Sequence, residues 1–365
     1  MNTIKMLIAL ISILLFFGCQ QNVERQKTTT SKTVKLDGVP NKKDKKSEPK
    51  NVRVLFYNLE NLFDTKDDPN NPNDNEYLPN SHKKWTPKRY ETKLKNLAKV
   101  IKSAGVPPII GVAEIENQSV LEDLMDYVDN SNWEYVHRNS PDERGIDVAL
   151  IYNKDIVELK AQEFIRIDFP REKDDATGKW RKDKTRDILY ADLLVEGQPL
   201  NVFVNHWPSR RNPDKKRVDV AKHAKAKIDE IKSKNANANI LLMGDFNDEP
   251  DNISLFKTLE AQNPANTKIQ TDNLYNLSFA KHLQGKGTYN YRGEYNLLDN
   301  IIVSGGLLQP KSKLKTTVAS FTIIEEDWMS FNHPRNGKMP NRTYGKEYYG
   351  GYSDHYPVYI DLVIE

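Results

Sequence analysis

The 365-residue chain has a single cysteine, Cys19, which excludes an intramolecular disulfide and any thiol chemistry elsewhere in the chain. It has no apolar run of the ~20 residues that cross a bilayer. The one long run, Met6–Phe17 behind Lys5, is short and reads as the h-region of a secretory signal. No internal repeat is visible, and after residue 51 there is no linker-like break. Nor is there a Cys/His cluster able to hold a structural zinc. A basic body is missing too. Residues 22–50 carry nine Lys/Arg against four Asp/Glu, so with Lys5 they contribute +6; the net charge of +3 leaves −3 on residues 51–365. General attraction to nucleic acid is therefore excluded, and any anion site must be local.

Phe16-Phe17-Gly18-Cys19 resembles a bacterial lipobox, so residues 1–18 are expected to be a lipoprotein signal and Cys19 the lipidation site. Residues 19–50 are nearly devoid of large apolar side chains and should be a disordered basic tether. The expectation is a membrane-anchored, extracytoplasmic protein whose folded body is residues 51–365.

In that body, strand-like runs recur at Val52–Asn58, Ile109–Glu114, Asp147–Asn153, Leu189–Val195, Asn201–His206, Asn239–Phe246, Leu297–Ser304 and Tyr356–Ile364. Three helices fall between them. The first starts at Thr86-Pro87, shows Tyr90, Leu94, Leu97 and Ile101 on one face, and stops at Gly105. The second has a capping box of Ser119 and Glu122. The third carries Val218, Ala221, Ala224, Ile228 and Ile231 on its apolar face. Many strands with few helices predict an α/β fold in which two packed mixed sheets are flanked by helices.

The functional signal lies at the strand ends. Apolar runs terminate in Asn58, in Glu114, in Asn205-His206, and in Asp245-Phe246-Asn247. Asp299 lies inside another run, and "GGYSDHYPVY" places Asp354 and His355 ahead of the last. Any one of these is an ordinary cap or turn residue; six in one chain are not. "NHWPSR", "GDFN" and "SDH", in that order, resemble the endonuclease/exonuclease/phosphatase superfamily, the group of deoxyribonuclease I, exonuclease III, neutral sphingomyelinases and inositol polyphosphate 5-phosphatases. The resemblance runs from Asn58 to His355 and implies a four-layer sandwich and metal-dependent phosphodiester hydrolysis.

It further implies that Glu114 and Asp354 hold Mg²⁺, with Mn²⁺ or Ca²⁺ as alternatives, and that Asp299 orients His355. Asp245 would orient or deprotonate the attacking water, Asn58 and Asn247 would donate to water or phosphate, and His206 would donate to a non-bridging oxygen. Arg144, Arg186 and Arg210 are the candidate substrate-binding cations. "PSRRNPDKKR" and "KWRKDK", with Trp180 and Trp207 beside them, are local basic patches suited to nucleic acid.

Two departures from the family pattern are Ala113, where Gln is usual, and Asn300 after Asp299, where 5-phosphatases have Arg. The Asp- and Asn-rich stretch from Asp64 to Asn75 resembles an insertion in secreted bacterial members; it is either a calcium site or a string of turns. The leading expectation is a monomeric extracytoplasmic nuclease on DNA or RNA with no protein partner. A phospholipid or sphingomyelin phosphodiesterase would need the Trp328, Met329 and Phe331 segment as a membrane element, and a binding protein on an inactive scaffold would not need every acid and both histidines.

Overall fold

The computed structural model describes residues 49–69, 71, 73–129, 131–173 and 177–365. The expected signal peptide, Cys19, the tether through residue 48, and Asn70 and Pro72 of the Asp64–Asn75 stretch lie outside the described residues.

Two seven-stranded sheets form the centre. In the first, Lys50–Leu62 runs parallel to Ile109–Ile115 and antiparallel to Val358–Ile364. In the second, Ile240–Asp245 runs parallel to Gln198–His206 and antiparallel to Asp299–Ser304. Successive side chains of a strand point to opposite faces. Val54 and Phe56 therefore enter the layer between the sheets, where they join Val204, Met243 and Ile301. Leu55 and Tyr57 face the helices α1 (Pro87–Ser103) and α2 (Gln118–Asp126). In the second sheet Phe203 and Leu242 face α3 (Asp214–Lys234). The strands are buried on both faces, which is why "ILLMG" and "NVFV" read as unbroken apolar runs. The layers are thus helix, sheet, sheet, helix, as expected.

The helices follow the sequence in one case and correct it in two, once at a cap and once on a buried face. Thr86 Oγ1 accepts from the Arg89 amide at 3.4 Å, and Gly105 takes the left-handed conformation (φ +81°) that ends α1. The cap of α2 is Asn117 rather than Ser119: Asn117 Oδ1 accepts from the Val120 amide at 3.1 Å, and the Ser119 hydroxyl donates to that same oxygen. In α3 the buried face includes Arg217 and Val220 in place of Val218, because Arg217 Nε pairs with Asp248 Oδ1 at 2.8 Å beneath the helix.

Candidate active site

The topology collects the polar residues. Parallel strands bring their carboxyl ends, and the antiparallel strands beside them bring their amino ends, to one edge of each sheet. His206 and Asp299 therefore both stand in register with Asp245. The two sheets meet at this edge, where Asn58 Nδ2 donates to Asp245 Oδ2 at 3.1 Å.

Backbone irregularities aim the side chains. Glu114 is an extra residue between the paired Ala113 and Ile115 and has φ +62°; Glu60, Asn61 and Asn247 are also left-handed. Such bulges turn a side chain out of the pleat at a local cost of ~1–3 kcal/mol. Gly244 has a different reason to be glycine: a Cβ there would run into the Asn205 carbonyl of the neighbouring strand. Gly244→Ala should cost about 1–3 kcal/mol as the strands are forced apart, measured as a lower denaturant midpoint with an unchanged m-value.

Asp245 is the hub. Its Oδ1 accepts from the Asn247 amide at 2.9 Å, and its Oδ2 lies 3.6 Å from His206 Nε2 and 3.8 Å from His355 Nε2. Burial raises its pKa, against the pull of His355. His355 Nδ1 is 2.7 Å from Asp299 Oδ2. Burial works to discharge this imidazole, but the carboxylates of Asp299 and Asp245 outweigh it and hold the pKa well above the ordinary histidine value. His206 differs: burial, then Arg186 and Arg144, drive its pKa well below that value. Its Nδ1 has no partner and its Nε2 faces Asp245 and, at 3.7 Å, Glu114, which assigns the Nε2–H tautomer of a neutral ring.

Asn61 N donates to Glu114 Oε2 at 3.1 Å, and Arg342 Nη2 donates to Asp354 Oδ2 at 3.0 Å. Both carboxylates line an open cleft of about 740 Å³ with Arg144, Asp245 and both histidines. These hard oxygen donors fit a divalent cation such as Mg²⁺. One ligand atom each of Asp245, Asp299 and His355 also lies within 4.8 Å of the others. Within this cluster His355 is hydrogen-bonded to Asp299 at 2.7 Å and stands 3.8 Å from Asp245.

The arginines divide. Arg144 is half exposed in the cleft wall, with Nε 3.4 Å from Asp142. Arg210 borders the cleft while its guanidinium holds Asn247 O at 3.0 Å, Asn296 Oδ1 and Glu249. Arg186, expected to bind substrate, is instead buried: it donates to His206 O at 3.1 Å and Trp207 O at 2.6 Å and pairs with Asp142 at 2.7 Å. Its task is to hold the end of the "NHW" strand. Trp207, expected beside a basic patch, is buried edge-on against Phe246.

Of the two departures, Ala113 packs in the layer between the sheets, and Asn300 donates to Asp248 O, Leu297 O and Leu298 O, fixing the turn before its strand. In the Asp64 stretch, Asp74 accepts from the Asp68 amide at 2.7 Å and Glu116 from the Asp64 amide at 2.9 Å, which is turn chemistry. Sequence reasoning missed Glu60, Lys93, Arg342 and Tyr289. Glu60 is buried and accepts from Arg342 Nε at 3.0 Å and the Thr343 amide at 2.6 Å, with Lys93 Nζ at 4.0 Å. Tyr289 packs its ring 5.0 Å from that of His355.

The profile of the Endonuclease/Exonuclease/phosphatase family matches residues 53–363. The chain belongs to this family. Members are phosphoester hydrolases that generally depend on a divalent metal, and this chain is a phosphoester hydrolase with an acid and imidazole cluster at the expected edge. The endonuclease/exonuclease/phosphatase fold is also seen in solved structures. One is a family protein from Bacteroides thetaiotaomicron (15% identity, TM-score 0.53, covering 87% of this chain and 96% of that one). A mannosyl-6-phosphatase from the same organism matches at 15% identity and TM-score 0.52, covering 86% and 100%. D. rerio TDP2 complexed with a single-strand DNA product matches at 14% identity and TM-score 0.51, covering 86% and 98%. No curated protein matches by sequence.

Proposed function

We propose that this hydrolase is an extracytoplasmic, lipid-anchored nuclease that cleaves DNA or RNA with Mg²⁺. The observation that carries the chemistry is Asp245 Oδ2, set between Asn58 Nδ2, His206 Nε2 and His355 Nε2 at 3.1–3.8 Å. Glu114 and Asp354 would hold the cation, which when bound would supply charge neutralisation on the phosphate and a more acidic water.

The chain's own groups do the rest. Asp245, with its raised pKa, accepts the proton of the water it orients. Asn58 and Asn247 hold that carboxylate in place through their donated hydrogen bonds. Neutral His206 donates from Nε2 to a non-bridging oxygen, and charged His355, fixed by Asp299, faces the charge that develops on the phosphoryl group. The export signal and tether expected in the sequence support a place outside the cytoplasm, at the membrane.

The lipid alternative has little support. Met329 is buried, and Trp328 packs edge-on against Tyr352 with Lys99 4.1 Å over its ring, which leaves Phe331 alone as an exposed apolar group of that segment.

The test offers the full chain supercoiled DNA, single-stranded DNA, RNA, sphingomyelin and a sugar phosphate, with Mg²⁺ or with chelator. Metal-dependent cleavage of a polynucleotide, abolished by chelation and restored by Mg²⁺, is the expected result. Turnover of lipid or sugar phosphate alone would overturn the nuclease reading.

A further inference from the structure

The cleft continues past Arg144. A second cavity of about 360 Å³ shares Arg144, Ser209 and Arg211 with it and extends to Lys184 and the first turn of α3. Six cationic side chains line this extension against three acidic ones, on a body whose net charge is −3. Two basic stretches distant in the chain meet here, "KWRKDK" at Lys179–Lys184 and "PSRRNPDKKR" at Pro208–Arg217. Lys216 of α3 pairs with Asp183, and this ion pair joins the two stretches.

The cations are not equivalent. Arg186 is neutralised by Asp142, and Lys216 by Asp183. Arg211 and Lys184 are exposed, and among the described residues neither has a carboxylate within ion-pair distance. Arg144 lies on the boundary between the two cavities, its guanidinium half exposed.

We propose that this extension is the subsite for the phosphate next to the scissile one in a nucleic-acid strand, with Arg211 and Lys184 as its contacts and Arg144 shared between the two phosphates. The inference rests on the nuclease reading and adds to it a direction for the strand, away from Asp354 and past His206 towards α3. Unpaired cations at the edge of a reaction cleft raise the local concentration of polyanions and touch backbone rather than base. Trp180 adds no stacking platform here. It neighbours Arg181 on one short strand, so the two side chains leave opposite faces, and Arg181 is the one that lines the cavity. The subsite therefore selects for a flanking phosphate and not for sequence.

The experiment compares the full chain with the double variant Arg211→Ala, Lys184→Ala on two substrates. Bis(4-nitrophenyl) phosphate has no neighbouring phosphate; a single-stranded oligonucleotide has one on each side. For the oligonucleotide, KM should rise about tenfold at low salt with kcat within about twofold. The slope of log KM against log salt should fall by about 0.7 for each phosphate left without its cation. Hydrolysis of the bis-ester should be unchanged. Anisotropy of a labelled oligonucleotide under chelation reads the same subsite without turnover, and about tenfold weaker binding is expected. Equal losses on both substrates, or unaltered oligonucleotide KM and binding, would overturn the subsite while leaving a nuclease standing. A wild-type protein that hydrolyses the bis-ester but neither cleaves nor binds oligonucleotides would overturn both.

Discussion

Replacing His355 with alanine is expected to lower phosphodiester hydrolysis by roughly 10²–10⁴-fold, the range for removing a positioned acid–base or charge-stabilising group. The imidazole is buried, hydrogen-bonded through Nδ1 to Asp299 at 2.7 Å, and kept charged by Asp299 and Asp245 despite burial. Its loss removes the positive charge facing the phosphate and leaves Asp299 and Asp245 as neighbouring buried acids. Asp299→Asn separates charge from packing. Removing the carboxylate removes what raises the His355 pKa, so the imidazolium is lost at lower pH, and the alkaline limb of kcat/KM should move towards acid. A pH profile of each variant on one minimal diester checks this. If His355→Ala retains more than about a tenth of wild-type kcat/KM, the role given to His355 is wrong.

The second large effect concerns stability. Glu60→Ala is expected to destabilise the protein by about 3–5 kcal/mol, the range for removing one partner of a buried ion pair. The Glu60 carboxylate accepts from Arg342 Nε and the Thr343 amide, and it faces the buried Lys93, whose ammonium donates to Thr343 Oγ1 and Tyr352 O, each at 2.6 Å. Alanine leaves the buried Lys93 and the Thr343 amide without this acceptor and leaves Arg342 with Asp354 alone. Activity should fall as well, because Arg342 bridges Glu60 to Asp354. Urea denaturation of the two proteins measures the effect, and a loss under about 1 kcal/mol would mean that water or a rearranged Arg342 compensates. Glu60→Gln, which keeps the shape and two acceptor lone pairs, should recover part of the stability.

What the sequence made legible was whatever repeats with a simple period. Strands buried on both faces appear as continuous apolar runs, and the polar residue that ends each run is where that strand reaches the sheet edge. Asn58, His206 and Asp245 were readable for this reason. Glu60 and Lys93 were not, although both are buried. Glu60 sits in a left-handed bulge of its strand, where the period is broken, and Lys93 lies beside Leu94 on a helix face whose pattern calls only for apolar groups. Their partnership spans elements that only the fold juxtaposes. Arg186 misled for the converse reason. An arginine before a strand in a phosphate-binding family invites a substrate role, and nothing local shows that two carbonyls of the "NHW" strand already occupy it.

The pairing of Lys50–Leu62 with Val358–Ile364 has a consequence for the making of the protein. A strand in the middle of the first sheet waits for a partner made about 300 residues later, and His355 arrives only three residues before that partner begins. Neither the sheet nor the catalytic edge can close until Val358–Ile364 has been made, and pairings of such long separation form slowly. An unfinished chain is therefore inert: the fold withholds its hydrolytic chemistry until the strand that follows His355 is there to pair.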